Sequence, residues 1–416
     1  MHSSLRLDID FVRSQFAAFE DPALAGWAHC ENAGGSYVPD RVADILCGFY
    51  RSSKVQPYGP AGPAKVAGDA MDRGLAAVSA TLNAPAGSVS IGPSTTQNTY
   101  VVARALRPLF DDGDRVIVTN QDHEANIGSW RRLSETGIEV VEWSVDPDTG
   151  LLDVADLEAL LTDRTRLVCF THASNLAATV NPVAQVADLA HAAGALVAVD
   201  GVSYAPHAAI DVVDLDVDLY FYSTYKTWGP HQGVVYCRPD LLDRVSNQGH
   251  FFNGGLATKR LVPAGPDHAQ VAAVAGMVDY YDDLYQHHHP GGSAPAGSFE
   301  RIAAVYQLFG AHEQVLMGPL LDFLAQSDVR LVGSPSTDHT VRAPTIAFVP
   351  RRVAPSVVVE HLAARSIGVG HGDFYARRLV EAMGIDLAEG VVRVSLVHYN
   401  TVEEVDRVIA ALDEVI

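Results

Sequence analysis

The chain has 416 residues, 48% of them hydrophobic, and its 50 acidic and 29 basic side chains give a formal net charge of −21. Such a composition is typical of a globular protein large enough for two domains. The acidic residues are spread along the chain, which argues against nucleic acid or an anionic membrane as a partner.

The N-terminal stretch and the cysteines bear on the cellular compartment. Aspartates and arginines interrupt residues 1–16, where a signal peptide needs an unbroken apolar run, and no later segment approaches transmembrane length. The four cysteines form no CxxC pair, so neither a disulfide framework nor a zinc site is predicted. We therefore expect a cytoplasmic protein that holds no metal.

The middle of the chain has the pattern of an α/β fold. Between residues 114 and 238, short runs rich in β-branched and aromatic residues alternate with helical segments, which predicts a mostly parallel sheet with crossover helices. The predicted strands are 115–119, 139–143, 166–171, 195–200, 219–224 and 233–238, and the predicted helices lie around 125–137, 152–163 and 181–194. Such sheets bind ligands outside the carboxyl ends of their strands, where Asp200 and Lys226 both stand.

The later segments differ in character. The stretch HHHPGGSAPAGS (287–298) predicts an exposed loop, and three adjacent histidines cannot all face one metal ion. From about residue 325 the pattern is that of a smaller α+β unit, with strands near 329–334, 343–349 and 391–398. A last helix follows, with a capping box of Thr401 and Glu404. Its predicted apolar stripe is Val402, Val405, Ile409, Leu412 and Ile416.

Lys226 ends an aromatic run, FYSTYK, that reads as a buried strand. One interpretation is a snorkelling side chain whose ammonium group reaches water. The other is a desolvated amine with a lowered pKa, able to form a Schiff base with a carbonyl group. The strand ALVAVD places Asp200 at a neighbouring end. A carboxylate there is either a solvated turn residue or the partner of a pyridinium nitrogen, as pyridoxal phosphate enzymes require.

The segment GPSTTQNTYVVARAL (92–106) leads from a Gly-Pro turn through a Ser-Thr-Thr run into an amphipathic helix. Free N–H groups and hydroxyls at a helix start suit a phosphate, and they equally suit ordinary capping. There is no glycine fingerprint for a nucleotide, which argues against a nicotinamide dehydrogenase.

Together with ENAGGSYVP (31–39) and VVRVSLVHYNTVEEVD (391–406), these motifs resemble the class V aminotransferase family of pyridoxal phosphate enzymes, in its cysteine-desulfurase-like branch. The resemblance implies the aspartate aminotransferase-like fold (fold type I). It implies a segment 1–30 that packs on the small domain, a large cofactor-binding domain (31–300) with a mostly parallel sheet, and a small α+β domain (301–416). It also implies a homodimer acting on an amino acid.

The resemblance also implies roles for single residues. Lys226 would be the Schiff-base lysine, Asp200 the partner of the pyridine nitrogen, and His123 the residue that stacks on the ring. The implied cofactor contacts are Thr95, Thr96, His123, Asn175, Asp200, Ser203, Ser223, Tyr225 and Lys226. Arg393 would take the substrate carboxylate. Motif position suggests the remaining pocket residues: Asn32, Tyr58, His231 and Tyr375.

Three positions depart from the family pattern. Tyr225 stands where a histidine is common, and Ser203 where a glutamine is common. In GHGDFYA (370–376), Tyr375 stands in place of the nucleophilic cysteine of a desulfurase. A desulfurase needs a thiolate to carry a persulfide, so this departure argues against that reaction.

The reaction hypotheses follow from these residues. With Lys226 as the base that removes the α-proton, the leading hypothesis is β-elimination with carbon–sulfur cleavage of a cysteine-derived substrate, which needs no cysteine. The alternatives are an aminotransferase or an amino-acid epimerase, and Tyr375 would be a second acid for elimination or epimerisation. A non-catalytic relative that serves as a binding protein is the remaining alternative.

Overall fold

The computed structural model describes residues 6–290 and 297–416. Its strands are β1 (Ala28–His29), β2 (Val89–Gly92), β3 (Arg115–Thr119), β4 (Glu139–Trp143), β5 (Thr165–Thr171), β6 (Leu196–Asp200), β7 (Leu219–Ser223), β8 (Gly233–Cys237), β9 (Val329–Leu331), β10 (Thr345–Pro350), β11 (Ile367–Gly368), β12 (Gly370–Gly372) and β13 (Val391–Ser395).

Its helices are α1 (Ile9–Arg13), α2 (Asp40–Ser52), α3 (Gly62–Thr81), α4 (Thr95–Leu106), α5 (Glu124–Arg131), α6 (Val154–Leu160), α7 (Val183–Ala192), α8 (Pro239–Arg244), α9 (His268–Ala273), α10 (Ala275–His288), α11 (Ser298–Gln326), α12 (Pro355–Ala363), α13 (Arg377–Ala382) and α14 (Val402–Asp413).

The large sheet contains seven strands in the order β2-β8-β7-β6-β5-β3-β4. Strands β4, β3, β5, β6 and β7 are mutually parallel, while β8 runs antiparallel to both of its neighbours. The six strands predicted between 114 and 238 are therefore confirmed to within one residue. The short edge strand β2 was not predicted, because four residues carry too little periodicity.

Alternate residues of the central strands enter two different cores. In β5, Val168 and Phe170 pack into one apolar cluster, and Leu167 and Cys169 pack into the other. A strand covered by helices on both faces is apolar throughout, which is why these strands read as continuous hydrophobic runs. Polar side chains are thereby confined to the strand ends.

The C-terminal part forms a smaller antiparallel sheet in the order β12-β13-β10-β9, and the capping box of Thr401 and Glu404 on α14 is present. The predicted boundary at residue 301 falls inside helix α11. The N-terminal segment contacts both parts of the chain: β1 pairs with β11, and Phe11 stacks on His287 at 3.7 Å.

The histidine run corrects one prediction. His287 and His288 belong to the last turn of α10 rather than to an exposed loop, and His288 is buried. Its Nε2 accepts a hydrogen bond of 2.9 Å from the amide of Asp8, and its Nδ1 donates to the carbonyl of Leu284. The rest of the predicted loop, residues 291–296, lies outside the described residues. The preceding sequence keeps helical period up to these histidines, which explains their place in α10.

Two findings concern the described residues as a whole. Within 6–290 and 297–416, no cluster of three or more His, Cys, Asp or Glu side chains is arranged to hold a metal ion. No helix in the same ranges has the length and apolar character needed to cross a bilayer.

Candidate functional site

A cavity of about 240 Å³ opens at the carboxyl ends of β6 and β7. Most of the predicted site residues meet there, drawn from β6, β7, the N-termini of α4 and α5, and the loop after β5. Its lining residues are Ser94, Thr95, Thr96, His123, Ala125, Thr171, Asn175, Asp200, Val202, Ser203, Ser223, Tyr225, Lys226 and His231.

Lys226 lies in a 3₁₀ turn (Thr224–Lys226) directly after β7 and is only 7% exposed. Its amine makes no hydrogen bond or ion pair with any described residue, so a snorkelling role does not account for it. Its pKa is lowered to about 8, mainly by burial and next by the charge of Arg393, while Asp200 and Glu31 partly oppose the shift. A minor but appreciable fraction of the amine is therefore neutral, and nucleophilic, near physiological pH.

Asp200 ends β6 and is also buried, and its Oδ1 accepts a hydrogen bond of 2.8 Å from the amide of Val202. The pKa of its carboxyl is raised to about 6, because burial outweighs the lowering effects of this bond and of the charge of Lys226. A protonated ring nitrogen facing Asp200 would supply the missing partner of this carboxylate. The residue therefore fits the pyridine end of the cofactor.

The start of helix α4 forms another wall of the cavity. Ser94 caps the helix by accepting a bond from the amide of Gln97, and the Thr95 and Ser223 hydroxyls lie 2.8 Å apart. Helix geometry leaves the first-turn amides of Thr95 and Thr96 without partners inside the helix. At Gly233, a Cβ atom would lie 2.4 Å from the nitrogen of Thr95, so only glycine allows β8 to approach so closely. Amides and hydroxyls together fit a phosphate.

His123 caps the N-terminus of α5, its Nδ1 accepting a bond of 2.9 Å from the amide of Ala125. Burial lowers the pKa of this histidine to about 3, and the charges of Lys226 and Arg393 act in the same direction. The ring is therefore neutral, with its proton on Nε2, and its face is available for stacking on an aromatic cofactor.

Arg393 is not among the residues that line the cavity; it is 3% exposed, contacts the lining residue Asn175 and pairs with the carboxylate of Glu31. Its Nη1 donates to the carbonyl of Asn175 at 3.3 Å, and its guanidinium lies 3.7 Å from the ring centroid of Phe374. Burial lowers its pKa, while Glu31 opposes the shift. Asn175 donates through Nδ2 to the carbonyl of Phe374 at 2.9 Å, which leaves its buried Oδ1 as the free atom.

Tyr375 is not among the residues that line the cavity; its side chain is 72% exposed and lies beside His123. Its ring centroid is 5.3 Å from that of His123, and its carbonyl accepts a bond of 2.8 Å from the amide of Glu124. Phe374 and Tyr375 have φ values of 47° and 61°. Left-handed backbone is unfavourable for bulky residues, so this loop is locally strained beside the site.

Two predicted substrate residues are placed differently. Tyr58 lines a separate cavity of about 920 Å³, and its hydroxyl donates to Asp72 at 2.9 Å. Within one chain, Tyr58 therefore does not line the cavity that contains Lys226, and its substrate contact stays a prediction.

Asn32 lies beside the cleft, but its side chain is already in use. Its Nδ2 donates to the carbonyl of Ser395 at 2.9 Å and contacts two further acceptors, and Tyr399 donates to its Oδ1. These contacts fix the turn that carries Glu31, and a substrate contact of Asn32 stays a prediction.

The remaining predicted residues line the mouth of the cavity. His231 is exposed and stacks on Tyr225, with centroids 4.6 Å apart, and Ser203 is partly buried. Sequence reasoning missed Glu31 and Phe374, although both stand inside motifs that were singled out. Nothing in the local sequence indicates that Glu31 meets an arginine 362 residues further along.

No cysteine lines this cavity among the described residues. Cys30, Cys169 and Cys237 are buried in apolar cores, and Cys47 is exposed on helix α2. Burial also raises the pKa of each of the three buried thiols. The position that resembles the desulfurase nucleophile therefore holds the phenol of Tyr375, and no thiol replaces it nearby.

Comparison with protein-family models gives a match to "Aminotransferase class-V" over residues 29–260 and 305–408. The chain is 36% identical to Aminotransferase-like protein FGM3 of Gibberella zeae, with both chains covered completely. It is 32% identical to a cysteine desulfurase of Pectobacterium atrosepticum, with 93% of each chain covered.

Solved structures give the same picture. The cysteine desulfurase CsdA of Escherichia coli superposes with a TM-score of 0.81 at 26% identity, covering 98% of both chains. A cysteine desulfurase of Thermococcus onnurineus superposes with a TM-score of 0.85 at 21% identity, covering 99% of this chain and 98% of that one. These matches confirm the predicted fold class.

Proposed function

The chain belongs to the class V aminotransferase family of pyridoxal phosphate enzymes, and from this premise we propose that it is a β-eliminating carbon–sulfur lyase of a cysteine-derived amino acid. The observation that carries the proposal is a cleft that, among residues 6–290 and 297–416, holds a buried lysine with no hydrogen-bond or ion-pair partner and no thiol. Cytoplasmic location and a homodimer are part of the same proposal.

The residues of the cleft fit the cofactor. Thr95, Thr96 and Ser223 would hold its phosphate, Asp200 its ring nitrogen, and Lys226 its aldehyde carbon. His123 would lie against the ring. When bound, pyridoxal phosphate supplies a ring that accepts the electron pair released at the α-carbon of an amino acid.

Lys226 is the proposed base. Its lowered pKa leaves a neutral amine that can take the α-proton at Nζ, while the Arg393 guanidinium orients the substrate carboxylate. Elimination then breaks the Cβ–S bond, and the sulfur leaves as a thiolate with the bonding electrons. The thiolate takes a proton, and the three-carbon fragment hydrolyses to pyruvate and ammonia.

The absence of a cleft thiol among the described residues favours elimination over desulfuration. A desulfurase breaks the carbon–sulfur bond by attack of a thiolate on the substrate sulfur. No described residue of the cleft offers a thiolate for this attack, whereas elimination needs only a base and a leaving group. Of the residues near the cleft mouth, Tyr375 is the proposed acid that protonates the departing sulfur.

Transamination is the competing function, and the name of the relative FGM3 favours it. It would use the same base, Lys226, but would break no bond at Cβ. A non-catalytic role is a poor fit to a buried lysine without a partner, because an unpaired buried amine destabilises a fold that makes no use of it.

The test is a panel of cysteine, cysteine S-conjugates and amino acids without a β-substituent, with pyruvate, thiol and the cofactor absorbance followed in the same tubes. A lyase releases pyruvate and thiol in equal amounts over many turnovers. An aminotransferase converts one equivalent of amino acid per active site and then stops, and it resumes turnover when a 2-oxo acid is added. That behaviour would contradict the proposal.

Two variants sharpen the result. Lys226→Ala is expected to abolish pyruvate release. Cys47→Ser removes the one exposed cysteine of the described residues and is expected to keep full activity. Loss of activity in Cys47→Ser would point to a persulfide carrier and overturn the elimination mechanism.

A further inference from the structure

The proposed substrate-binding arginine already has a carboxylate partner. Nη2 of Arg393 donates to Oε1 of Glu31, and Nη1 donates to the carbonyl of Asn175. Nε is buried and has no hydrogen-bond partner among the described residues. A carboxylate binds a guanidinium best through two parallel N–H bonds. Glu31 thus uses one of the N–H groups that such a ligand requires.

Arg393 is held independently of Glu31. It lies in the middle of β13, paired with Ala347 of β10 on one side and Gly370 of β12 on the other. Its guanidinium packs on the ring of Phe374, with 3.7 Å between the guanidinium carbon and the ring centroid. Movement of Glu31 therefore leaves the arginine in position.

Glu31 is the less constrained partner. Its side chain is 24% exposed, against 3% for Arg393, and its buried Oε2 has no hydrogen-bond partner among the described residues. Its backbone is held separately, because Ser395 donates from its amide to the carbonyl of Cys30 at 2.7 Å and accepts from the amide of Ala33 at 2.8 Å. The side chain can therefore rotate without disturbing the turn.

The carboxylate of Glu31 lies in a slot between two glycines. A Cβ at Gly34 would lie 3.2 Å from Oε1, and a Cβ at Gly370 would lie 3.3 Å from Cδ. Side chains at either position would press on the carboxylate. The slot is thus shaped for a carboxylate without adding hydrogen bonds that would fix it there.

We propose that Glu31 is a displaceable counter-ion of Arg393 and a specificity-determining residue, a role that rests on the proposed function of Arg393 in carboxylate binding. Two carboxylates on one guanidinium repel each other, so a ligand must displace Glu31. An amino acid can do so because its amine adds a second attachment at the cofactor. A simple carboxylate has no such attachment and is excluded. Glu31 thus selects α-amino acids over the other small carboxylic acids.

The test measures the affinity of the cofactor-loaded protein for propionate, which has the carboxylate but no amine, by titration calorimetry. Glu31→Gln is expected to bind propionate roughly ten- to a hundredfold more tightly than wild type, the factor that one charge-assisted hydrogen bond is worth. Glu124→Gln is the matched control. This glutamate stands next to His123 and interacts with Arg378, so the same loss of charge is expected to leave propionate binding unchanged.

A second variant covers the case in which Glu31→Gln does not fold. Glu31→Asp keeps the charge on a shorter side chain, and its propionate affinity is expected to lie between those of wild type and Glu31→Gln. Adding Arg393→Gln to either variant is expected to abolish the gain.

Affinity that is unchanged or weaker in both Glu31 variants would overturn the inference, because Glu31 would then orient the arginine for its ligand. Propionate undergoes no reaction, so this result is separate from the proposed lyase activity. If the Glu31 variants bind propionate more tightly but wild type releases no pyruvate, only the proposed lyase activity is refuted. If wild type releases pyruvate but the Glu31 variants bind propionate no more tightly, only the role of Glu31 is refuted.

Discussion

The hydroxyl groups of Thr95 and Ser223 lie 2.8 Å apart, although 128 residues separate them along the chain. One begins helix α4 and the other ends strand β7. Both residues line the cavity that contains Lys226. Their contact joins the proposed phosphate site to the strand that carries the lysine.

Thr95→Val is expected to weaken cofactor binding by roughly tenfold, because the hydroxyl contributes about 1.5 kcal/mol to a charged group. The measurement is an absorbance titration of the cofactor-free protein. Thr81→Val is the control, since the Thr81 hydroxyl bonds that of Tyr222 outside the cleft. It is expected to leave cofactor affinity unchanged, and an equal loss in both variants would contradict the phosphate role of Thr95.

Asp200→Asn is expected to stabilise the cofactor-free protein and to lower turnover by about 10²-fold or more. Burial raises the folded-state pKa of Asp200 to about 6 from 3.8, so wild type loses stability as the pH rises from about 4 to 6 and stays lower above that. The shift corresponds to at most about 3 kcal/mol at pH 8. Chemical denaturation at pH 4 and pH 8 checks the gain, which is expected only at pH 8.

The control for this variant is Asp218→Asn. Asp218 is also buried, but its carboxylate accepts a bond of 2.8 Å from the amide of Val197 and contacts His191 at 2.9 Å. Its charge is compensated, so the same change is expected to destabilise the protein. A gain in stability at both positions would show that the effect is not specific to the cleft.

The pH dependence of Lys226 is a third prediction. With the pKa lowered to about 8, mainly by burial and next by Arg393, labelling of the cofactor-free protein by an amine-reactive imidate is expected to rise with a midpoint near pH 8. Peptide mass spectrometry follows the modified lysine. Arg393→Gln removes a positive charge and is expected to move the midpoint upward, whereas Arg378→Gln at the cleft mouth leaves it in place.

Two substitutions of His123 distinguish its proposed stacking on the cofactor from its capping of helix α5. His123→Phe keeps an aromatic face and loses the cap of α5, which costs about 1 kcal/mol of stability. His123→Asn keeps a capping oxygen and loses the ring. If His123 stacks on the cofactor, His123→Phe keeps cofactor affinity within a few fold of wild type and His123→Asn loses it. The reverse order in the same titration would assign His123 to the helix alone.

Tyr375→Phe tests the proposed acid at the cleft mouth. Loss of the phenol hydroxyl is expected to lower pyruvate release by roughly 10²-fold or more while cofactor affinity stays the same, because a general acid contributes about 10² or more to a rate. The steady-state rate with a cysteine S-conjugate is the measurement. Unchanged turnover would mean that the leaving sulfur takes its proton from water.

Strands and their ends were predictable because a buried strand shows itself in local composition, and Asp200 and Lys226 stand at such ends. Contacts between segments that are distant in the sequence were not predictable in this way. The pairing of Glu31 with Arg393 and the use of the Asn32 amide by Tyr399 depend on the docking of the N-terminal turn against β13. Motif position alone placed Tyr58 in the pocket, where the folded chain does not bring it.

The edge strand β2 pairs with β8, which runs antiparallel to both of its neighbours in an otherwise parallel sheet. Gly233 lies between Ser223 of β7 and Gly92 of the edge strand β2, so the start of α4 meets the strand before the lysine turn both through this short antiparallel ladder and through the contact of Thr95 with Ser223. A ligand that touches both Thr95 and Lys226 fastens the outermost strand to the centre of the sheet. Ligand binding at the cleft is then expected to stabilise the edge of the sheet as well as the site itself.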